Sequence, residues 1–166
     1  MKIFLIGMPG SGKSTIGKLL ALKLAIPFVD LDTEIEKREK KLIKEIFKES
    51  GEAYFREIES KVLQDCASSP SDFVIATGGG APCFHEGIRV INAAGISVFL
   101  DVPVDELVAR VEKEKERPLL LSSDKAELVE KLTTTRSNRI QCYQQANITI
   151  SNPTIDSVYE NLKLRI

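Results

Sequence analysis

The sequence predicts a doubly wound α/β protein, a five-stranded parallel sheet with a helical pair and a lid inserted over the strand ends. Apolar runs of strand length alternate with helical patterns along the whole chain, which is how a parallel sheet covered on both faces is built. The first run leads directly into a glycine-rich sequence, Gly7-Met8-Pro9-Gly10-Ser11-Gly12-Lys13-Ser14-Thr15. Two later runs end in Asp30-Leu31-Asp32 and in Gly78-Gly79-Gly80, at the carboxyl ends of strands, where open α/β sheets bind ligands.

Each element has a local reason. Ile3-Phe4-Leu5-Ile6 is uniformly apolar, as a strand buried on both faces must be. Residues 16–25 read as the first helix and Phe28-Val29-Asp30-Leu31 as the second strand. Residues 33–49 read as a helix in which Leu42, Ile43, Ile46 and Phe47 form one apolar stripe opposite a solvated face of lysines and glutamates. Gly51 interrupts the pattern, and a further helix over 52–67 carries Phe55, Ile58, Val62 and Leu63 at helical spacing. Phe73-Val74-Ile75-Ala76 is the third strand. A helix around 88–93 precedes the fourth strand at 96–100, and Pro103 opens the next helix. Residues 112–124 are charged, then apolar, then polar, without a clean period, and are expected to form a lid loop. A helix over 125–146, a strand at 148–150 and an amphipathic helix from about residue 154 complete the chain.

A length of 166 residues fits one domain with a sizeable core. Hydrophobic residues make up 43% and charged residues 28%, ordinary for a soluble globular protein. The net charge of −1 gives no electrostatic case for a nucleic acid or an anionic membrane as partner. Any anionic ligand must therefore be held by local basic groups. No apolar stretch is long enough to span a bilayer, and the N-terminal run is too short for a signal peptide. Cys66, Cys83 and Cys142 are odd in number and form no Cys-x-x-Cys pair. Small, partly buried thiols in a reducing compartment, most simply the cytoplasm, fit them better than a zinc site with His85. There is no coiled-coil heptad pattern, and a monomer is the default.

The segment at 7–15 matches Gly-x-x-x-x-Gly-Lys-Ser in full and lies between a strand and a helix, the context that motif requires. Its glycines let successive N–H groups point at a polyphosphate, and the helix start adds its positive dipole end. Lys13 is expected to reach the β- and γ-phosphates, and the Ser14 hydroxyl to bind Mg²⁺.

Asp30 and Asp32 stand two apart, so in an extended strand both carboxylates point to one side, with Cα atoms about 6.5 Å apart. That separation suits Asp30 for Mg²⁺, directly or through water, and Asp32 for accepting a hydrogen bond from an acceptor hydroxyl. Asp32 before Thr33-Glu34 also fits a helix N-cap, but the upstream phosphate loop favours the ligand role. The glycines at 78–80 leave no side chain between a ligand and backbone N–H donors; a flexible turn is the plain alternative. Arg56 lies at the edge of its helix's apolar stripe, and pairing with Glu52 or Glu59 would explain it structurally. Arg117 precedes Pro118, which disfavours helix there. An arginine on a closing loop is what phosphoryl transfer exploits, because it neutralises charge on the γ-phosphate in the transition state. Arg136 and Arg139 are one turn apart and share a helix face.

In this combination the chain resembles the shikimate kinases. The resemblance rests on the phosphate loop, Asp30-Leu31-Asp32, Gly51-Glu52 followed by Phe55-Arg56 and Glu59, the strand ending in Gly78-Gly79-Gly80, and Arg117-Pro118-Leu119-Leu120. It implies a three-layer P-loop kinase fold, a single kinase domain over 1–166 with a substrate-binding insertion at about 32–60 and the lid at about 112–124. It also implies ATP-dependent phosphorylation of the 3-hydroxyl of shikimate with Mg²⁺, on the route to chorismate and the aromatic amino acids. By motif, Lys13, Asp32 and Arg117 would be catalytic, Asp32 meeting the shikimate hydroxyls as base or orienter. Arg56 would pair with the shikimate carboxylate, helped by the backbone of Gly78, Gly79 and Gly80. ATP would contact Gly10, Ser11, Gly12, Lys13, Ser14, Thr15, Arg110 and Arg117, with Arg110 against adenine, while Ser14 and Asp30 would hold Mg²⁺.

A second substrate arginine belongs in a stretch ending Arg-x-Pro-Leu-Tyr, which here reads Arg139-Ile140-Gln141-Cys142-Tyr143. The resemblance thus assigns Arg139 over Arg136. Gln141 and Cys142 depart from the pattern, which bears on local backbone and substrate affinity but not on the phosphate machinery. Competing expectations are another small-metabolite kinase of this fold, such as a gluconate kinase, a nucleoside monophosphate kinase, or a nucleotide-binding switch without catalysis.

Overall fold

A computed structural model of the chain describes residues 1–114 and 122–166. The strands are β1 (Lys2–Ile6), β2 (Phe28–Asp30), β3 (Phe73–Ala76), β4 (Ile96–Asp101) and β5 (Ile148–Ser151). They form one all-parallel sheet in the order β2-β3-β1-β4-β5. Side chains alternate across it, as the pleat requires. Phe4, Ile6, Phe73, Ile75 and Phe99 enter one core, while Ile3, Leu5, Val74, Val98 and Leu100 enter the other. That two-sided burial is why these strands read as unbroken apolar runs.

Helices close both cores. α1 (Lys13–Leu24) and α7 (Ile155–Lys163) cover one face through Ile16, Leu20, Val158 and Leu162. α2 (Leu31–Glu39), α3 (Ile43–Ser68), α4 (Gly87–Ala94), α5 (Val104–Glu114) and α6 (Ser122–Tyr143) contribute to the other, with Ile35, Phe55, Ile91, Leu107 and Tyr143 buried there. β1 lies between β3 and β4, so the phosphate loop leaves the sheet where the chain's crossings change direction, the crevice in which such sheets bind ligands.

Several boundaries differ from expectation. α1 begins at Lys13 rather than at 16, because Gly12 at φ 92° turns the chain straight into the helix. Leu31 opens α2 instead of closing β2. The helix expected over 33–49 is two helices: α2 ends at Lys40, which adopts φ 53°, and α3 starts after Leu42. The stripe of Leu42, Ile43, Ile46 and Phe47 therefore belongs to the start of α3, where the Glu45 carboxylate accepts from the Leu42 N–H at 2.9 Å. Gly51, at φ 79° and ψ 176°, breaks the helical backbone between the two segments of α3, as the sequence pattern there predicts.

The irregular stretch expected over 112–124 starts within α5 and ends within α6. The rest of the expected lid, with Arg117, lies outside the described residues. The last long helix, expected over 125–146, runs from Ser122 to Tyr143. No helix among the described residues is long and apolar enough to cross a membrane.

Candidate active site

A cleft of about 780 Å³ opens above the carboxyl ends of the strands, with Lys13, Ser14, Asp30, Asp32, Gly78 and Arg110 on its walls. Gly10, Gly12, Thr15 and Pro153 also line it. The loop that leaves β1 curls through Gly7, Gly10 and Gly12, all at positive φ, and is tied by the Ser11 N–H donating to the Met8 carbonyl at 3.1 Å. The Ser11 hydroxyl is buried inside that loop with no hydrogen-bond partner among the described residues.

Lys13 is buried, and its Nζ donates to the carbonyls of Gly7 at 3.0 Å and Met8 at 2.8 Å. Burial pulls its ammonium down from 10.5 to about 8; Asp32 and Asp30 oppose that shift, and Arg139 adds to it. The Ser14 hydroxyl donates to Asp30 Oδ2 at 2.8 Å. A hydroxyl and a carboxylate side by side next to a phosphate loop fit Mg²⁺, which takes one or two protein oxygens and fills its shell with water and phosphate.

The cap at the start of α2 is Asp30 rather than Asp32: Asp30 Oδ1 accepts from the backbone N–H groups of Asp32 at 3.1 Å and Thr33 at 3.4 Å. Asp32 sits in the first turn of α2. The two carboxylates share the cleft because that helix begins at the strand end, not through the two-residue repeat of an extended chain. Asp32 presents surface to solvent, yet the concave cleft walls it in. That enclosure, then the charge of Asp30, pushes its carboxyl above the usual range against the pull of Lys13 and Arg56.

The expected substrate residues converge on the glycines at 78–80. A methyl group at Gly78 would meet Glu59 Oε1 at 2.6 Å and Asp32 Oδ1 at 3.2 Å. At Gly79 it would meet Arg139 Nη1 at 3.1 Å, and at Gly80 the Arg56 guanidinium, with Cζ at 2.6 Å and Nη2 at 2.8 Å. None of the three has a positive φ, so what they supply is space. The segment is a hydrogen-bonded series of turns, with Ala81 N–H donating to Gly78 O at 3.1 Å and Cys83 N–H to Gly80 O at 2.8 Å.

Arg56 is buried and makes both ion pairs weighed for it: Nη1 with Glu59 Oε2 at 2.7 Å, and Nη2 with Glu52 Oε1 at 3.2 Å. Glu59 is also buried; that burial raises its carboxyl while Arg56 holds it down. Its Oε1 has no partner among the described residues. Glu52 is exposed, so water or a ligand carboxylate can take its place on Arg56 without leaving a buried charge unpaired.

The two arginines on α6 part company. Arg139 lies against Gly79 and the Tyr143 hydroxyl, which itself donates to Gly79 O at 2.7 Å. Arg136 instead pairs with Asp101 at 2.8 Å, in a separate hollow at the ends of β4 and β5. Arg56 and Arg139 do not line the main cleft itself; they adjoin it across the glycine turn. Arg110 is held by Glu106 and by the Gly10 carbonyl, to which its Nη1 donates at 3.2 Å.

α6 runs through Gln141 and Cys142 to Tyr143; Gln141 keeps the backbone N–H that a proline lacks. Cys83 and Cys142, distant in sequence, share a thiol hydrogen bond that lowers Cys142 and raises Cys83. Sequence reasoning did not assign Tyr143, Glu59 or Pro153 to the site. The four-residue spacing of Arg139 and Tyr143 was a signal for the first, and the position of Pro153 just past the last strand for the third.

The strand order and the loop after β1 define a nucleotide-binding α/β protein of the P-loop kinase class. The shikimate kinase family profile matches residues 9–164. A shikimate kinase of Bacteroides fragilis is 44% identical over 148 residues, covering 89% of this chain and 82% of that one. The crystal structure of shikimate kinase from Bacteroides thetaiotaomicron matches with a TM-score of 0.88 at 38% identity, covering 100% of this chain and 99% of that one. Shikimate kinase from Acinetobacter baumannii in complex with shikimate matches with a TM-score of 0.84 at 34% identity, covering 99% of this chain and 92% of that one. This chain belongs to the shikimate kinase family. It is a kinase, and the gluconate kinase and non-catalytic switch readings are not favoured.

Proposed function

We infer that the chain transfers the γ-phosphoryl group of ATP to the 3-hydroxyl of shikimate, giving shikimate 3-phosphate and ADP on the route to chorismate and the aromatic amino acids. The observation that carries this reading is the glycine turn, on which Asp32, Arg56 and Arg139 converge beside the cleft of the phosphate loop. A small hydroxylated acid seated there has its carboxylate toward two arginines and a hydroxyl toward Asp32. Planar arginine–carboxylate contacts fix orientation as well as charge.

Phosphoryl transfer asks for alignment and charge neutralisation rather than covalent catalysis. Asp32, with its carboxyl raised above the usual range and its Oδ1 beside Gly78, is placed to accept the hydroxyl proton. Lys13 leaves the carbonyls of Gly7 and Met8 for the β- and γ-phosphates. Arg110, on the cleft wall, flanks adenine.

Ser14 and Asp30 would hold Mg²⁺, which when bound offsets charge on the phosphate oxygens. Arg117 is assigned by motif to the γ-phosphate, on a lid at about 112–124 that excludes water as a competing acceptor. The insertion at about 32–60, formed by α2 and the first part of α3, binds shikimate within one kinase domain. A monomer is the default for a chain without a coiled-coil heptad pattern, and the three free thiols fit the cytoplasm. The test is coupled detection of ADP release from ATP and Mg²⁺ with and without shikimate. Release that depends on shikimate, and not on gluconate, is expected; release indifferent to shikimate overturns the reading.

A further inference from the structure

The turn that follows the glycines carries an aromatic side chain that the core does not claim. Phe84 is 38% exposed, and its backbone is fixed: its N–H donates to Gly80 O at 3.3 Å, and its carbonyl accepts from Gly87 at 2.9 Å. The next two residues, His85 and Glu86, both take positive φ, 48° and 56°, an uncommon conformation for side-chain-bearing residues. The chain is thus bent so that the ring meets the Arg56 guanidinium, with Cζ 4.3 Å from the ring centre. The ring of Phe55, the neighbour of Arg56 in sequence, is farther at 5.2 Å.

We propose that Phe84 is a positioning residue for shikimate, its ring fixing the plane of the Arg56 guanidinium so that the edge is presented to the substrate carboxylate. This rests on the reading of Arg56 as the carboxylate ligand. A ring stacked on a guanidinium engages its face and consumes none of its N–H donors, so the edge stays free for carboxylates. Two acidic groups already touch that edge, buried Glu59 at Nη1 and exposed Glu52 at Nε and Nη2. When a ligand carboxylate displaces Glu52, Glu59 alone leaves the group free to rotate out of plane. The ring of Phe84 at 4.3 Å then bears on it most closely, with the backbone of Gly80 and the more distant ring of Phe55.

Phe84→Leu keeps an apolar side chain and removes the ring; Phe84→Tyr keeps the ring. Steady-state kinetics on the full chain read KM for shikimate, KM for ATP and kcat for both, alongside Arg56→Ala and the Phe84→Leu/Arg56→Ala double variant. Where Arg56→Ala falls below detection, Arg56→Lys, which lacks the planar fork, takes its place. Phe84→Leu is expected to raise the shikimate KM about threefold to tenfold, with the ATP KM unchanged. Phe84→Tyr stays near wild type, and Phe84→Leu adds no further loss in kcat/KM once Arg56 is replaced. The proposal is overturned if Phe84→Leu leaves the shikimate KM unchanged, raises both KM values equally, or acts with the same factor without Arg56. If Arg56→Ala itself spares the shikimate KM, the carboxylate assignment of Arg56 fails and the role of Phe84 with it. If Arg56→Ala raises the KM and Phe84→Leu does not, only the role of Phe84 fails.

Discussion

Raising the pH from 7 to 9 is expected to weaken ATP binding about tenfold through Lys13 alone. Burial inside the phosphate loop pulls this ammonium from 10.5 to about 8. The free protein is then about nine-tenths charged at this position at pH 7 and about one-tenth at pH 9. A polyphosphate beside Nζ favours the charged form, so binding takes up a proton wherever the free lysine has lost one. Calorimetric titration at pH 8.5 in two buffers of different ionisation enthalpy should report roughly three-quarters of a proton taken up per nucleotide. Lys13→Met should bind weakly throughout and take up none. Affinity that stays level from pH 7 to 9, without proton uptake, refutes both the lowered ammonium and its contact with phosphate.

The same shift bears on stability. Between about 8 and 10.5 the unfolded chain binds more protons at Lys13 than the folded one, so its contribution to stability rises with pH across that window. Below the folded value the penalty is present in full, about 3 kcal/mol. The difference in urea midpoint between wild type and Lys13→Met, followed against pH, isolates that contribution.

Lys13→Ala or Asp32→Ala should each lower turnover by about a hundredfold or more while the chain stays folded; wild-type-like phosphorylation by either refutes its role. Arg56→Ala should raise the shikimate requirement far more than that for ATP, and equal losses argue against carboxylate pairing. It also strips buried Glu59 of its partner, which should destabilise the fold by about 3 kcal/mol in a denaturant titration. Gly80→Ala puts a methyl group into the Arg56 guanidinium, so shikimate affinity should drop with nucleotide binding intact; an unchanged shikimate KM contradicts the close fit. Arg139→Ala should impair shikimate use at least several times more than Arg136→Ala, whose side chain is engaged by Asp101; the reverse order in kcat/KM refutes the assignment.

Much of the fold was legible because its strands are buried on two faces and its loop signals are chemically narrow. Ile3-Phe4-Leu5-Ile6 admits few other readings, and glycines with a lysine behind it fix the next turn. The break between α2 and α3 was not legible: Lys40 turns the chain with φ 53°, and neither glycine nor proline marks the spot. Its conformation is set by how α2 packs on α3, which no local pattern records. The cap was misplaced for a similar reason: Asp32 stands before polar Thr33-Glu34, but β2 ends at Asp30 and α2 opens at Leu31, so Asp30 takes the cap.

Within the site, local spacing put Arg136 and Arg139 on one face but was silent on their partners. Asp101, which takes Arg136, comes from β4, and Gly79, which meets Arg139, follows β3. The meeting of Cys83 with Cys142 is likewise a product of the tertiary fold. The ion pairs of Arg56 were readable from its helix spacing, while its approach to Gly80 and Phe84 was not.

The most direct measurement is a crystal structure of the protein with shikimate and ADP bound. The expected result is the acid beside the glycines at 78–80, its carboxylate on Arg56 and Arg139, a ring hydroxyl on Asp32, and the diphosphate in the loop at 7–15. Shikimate seated away from those glycines, or turned so that its carboxylate meets neither arginine, would contradict the account.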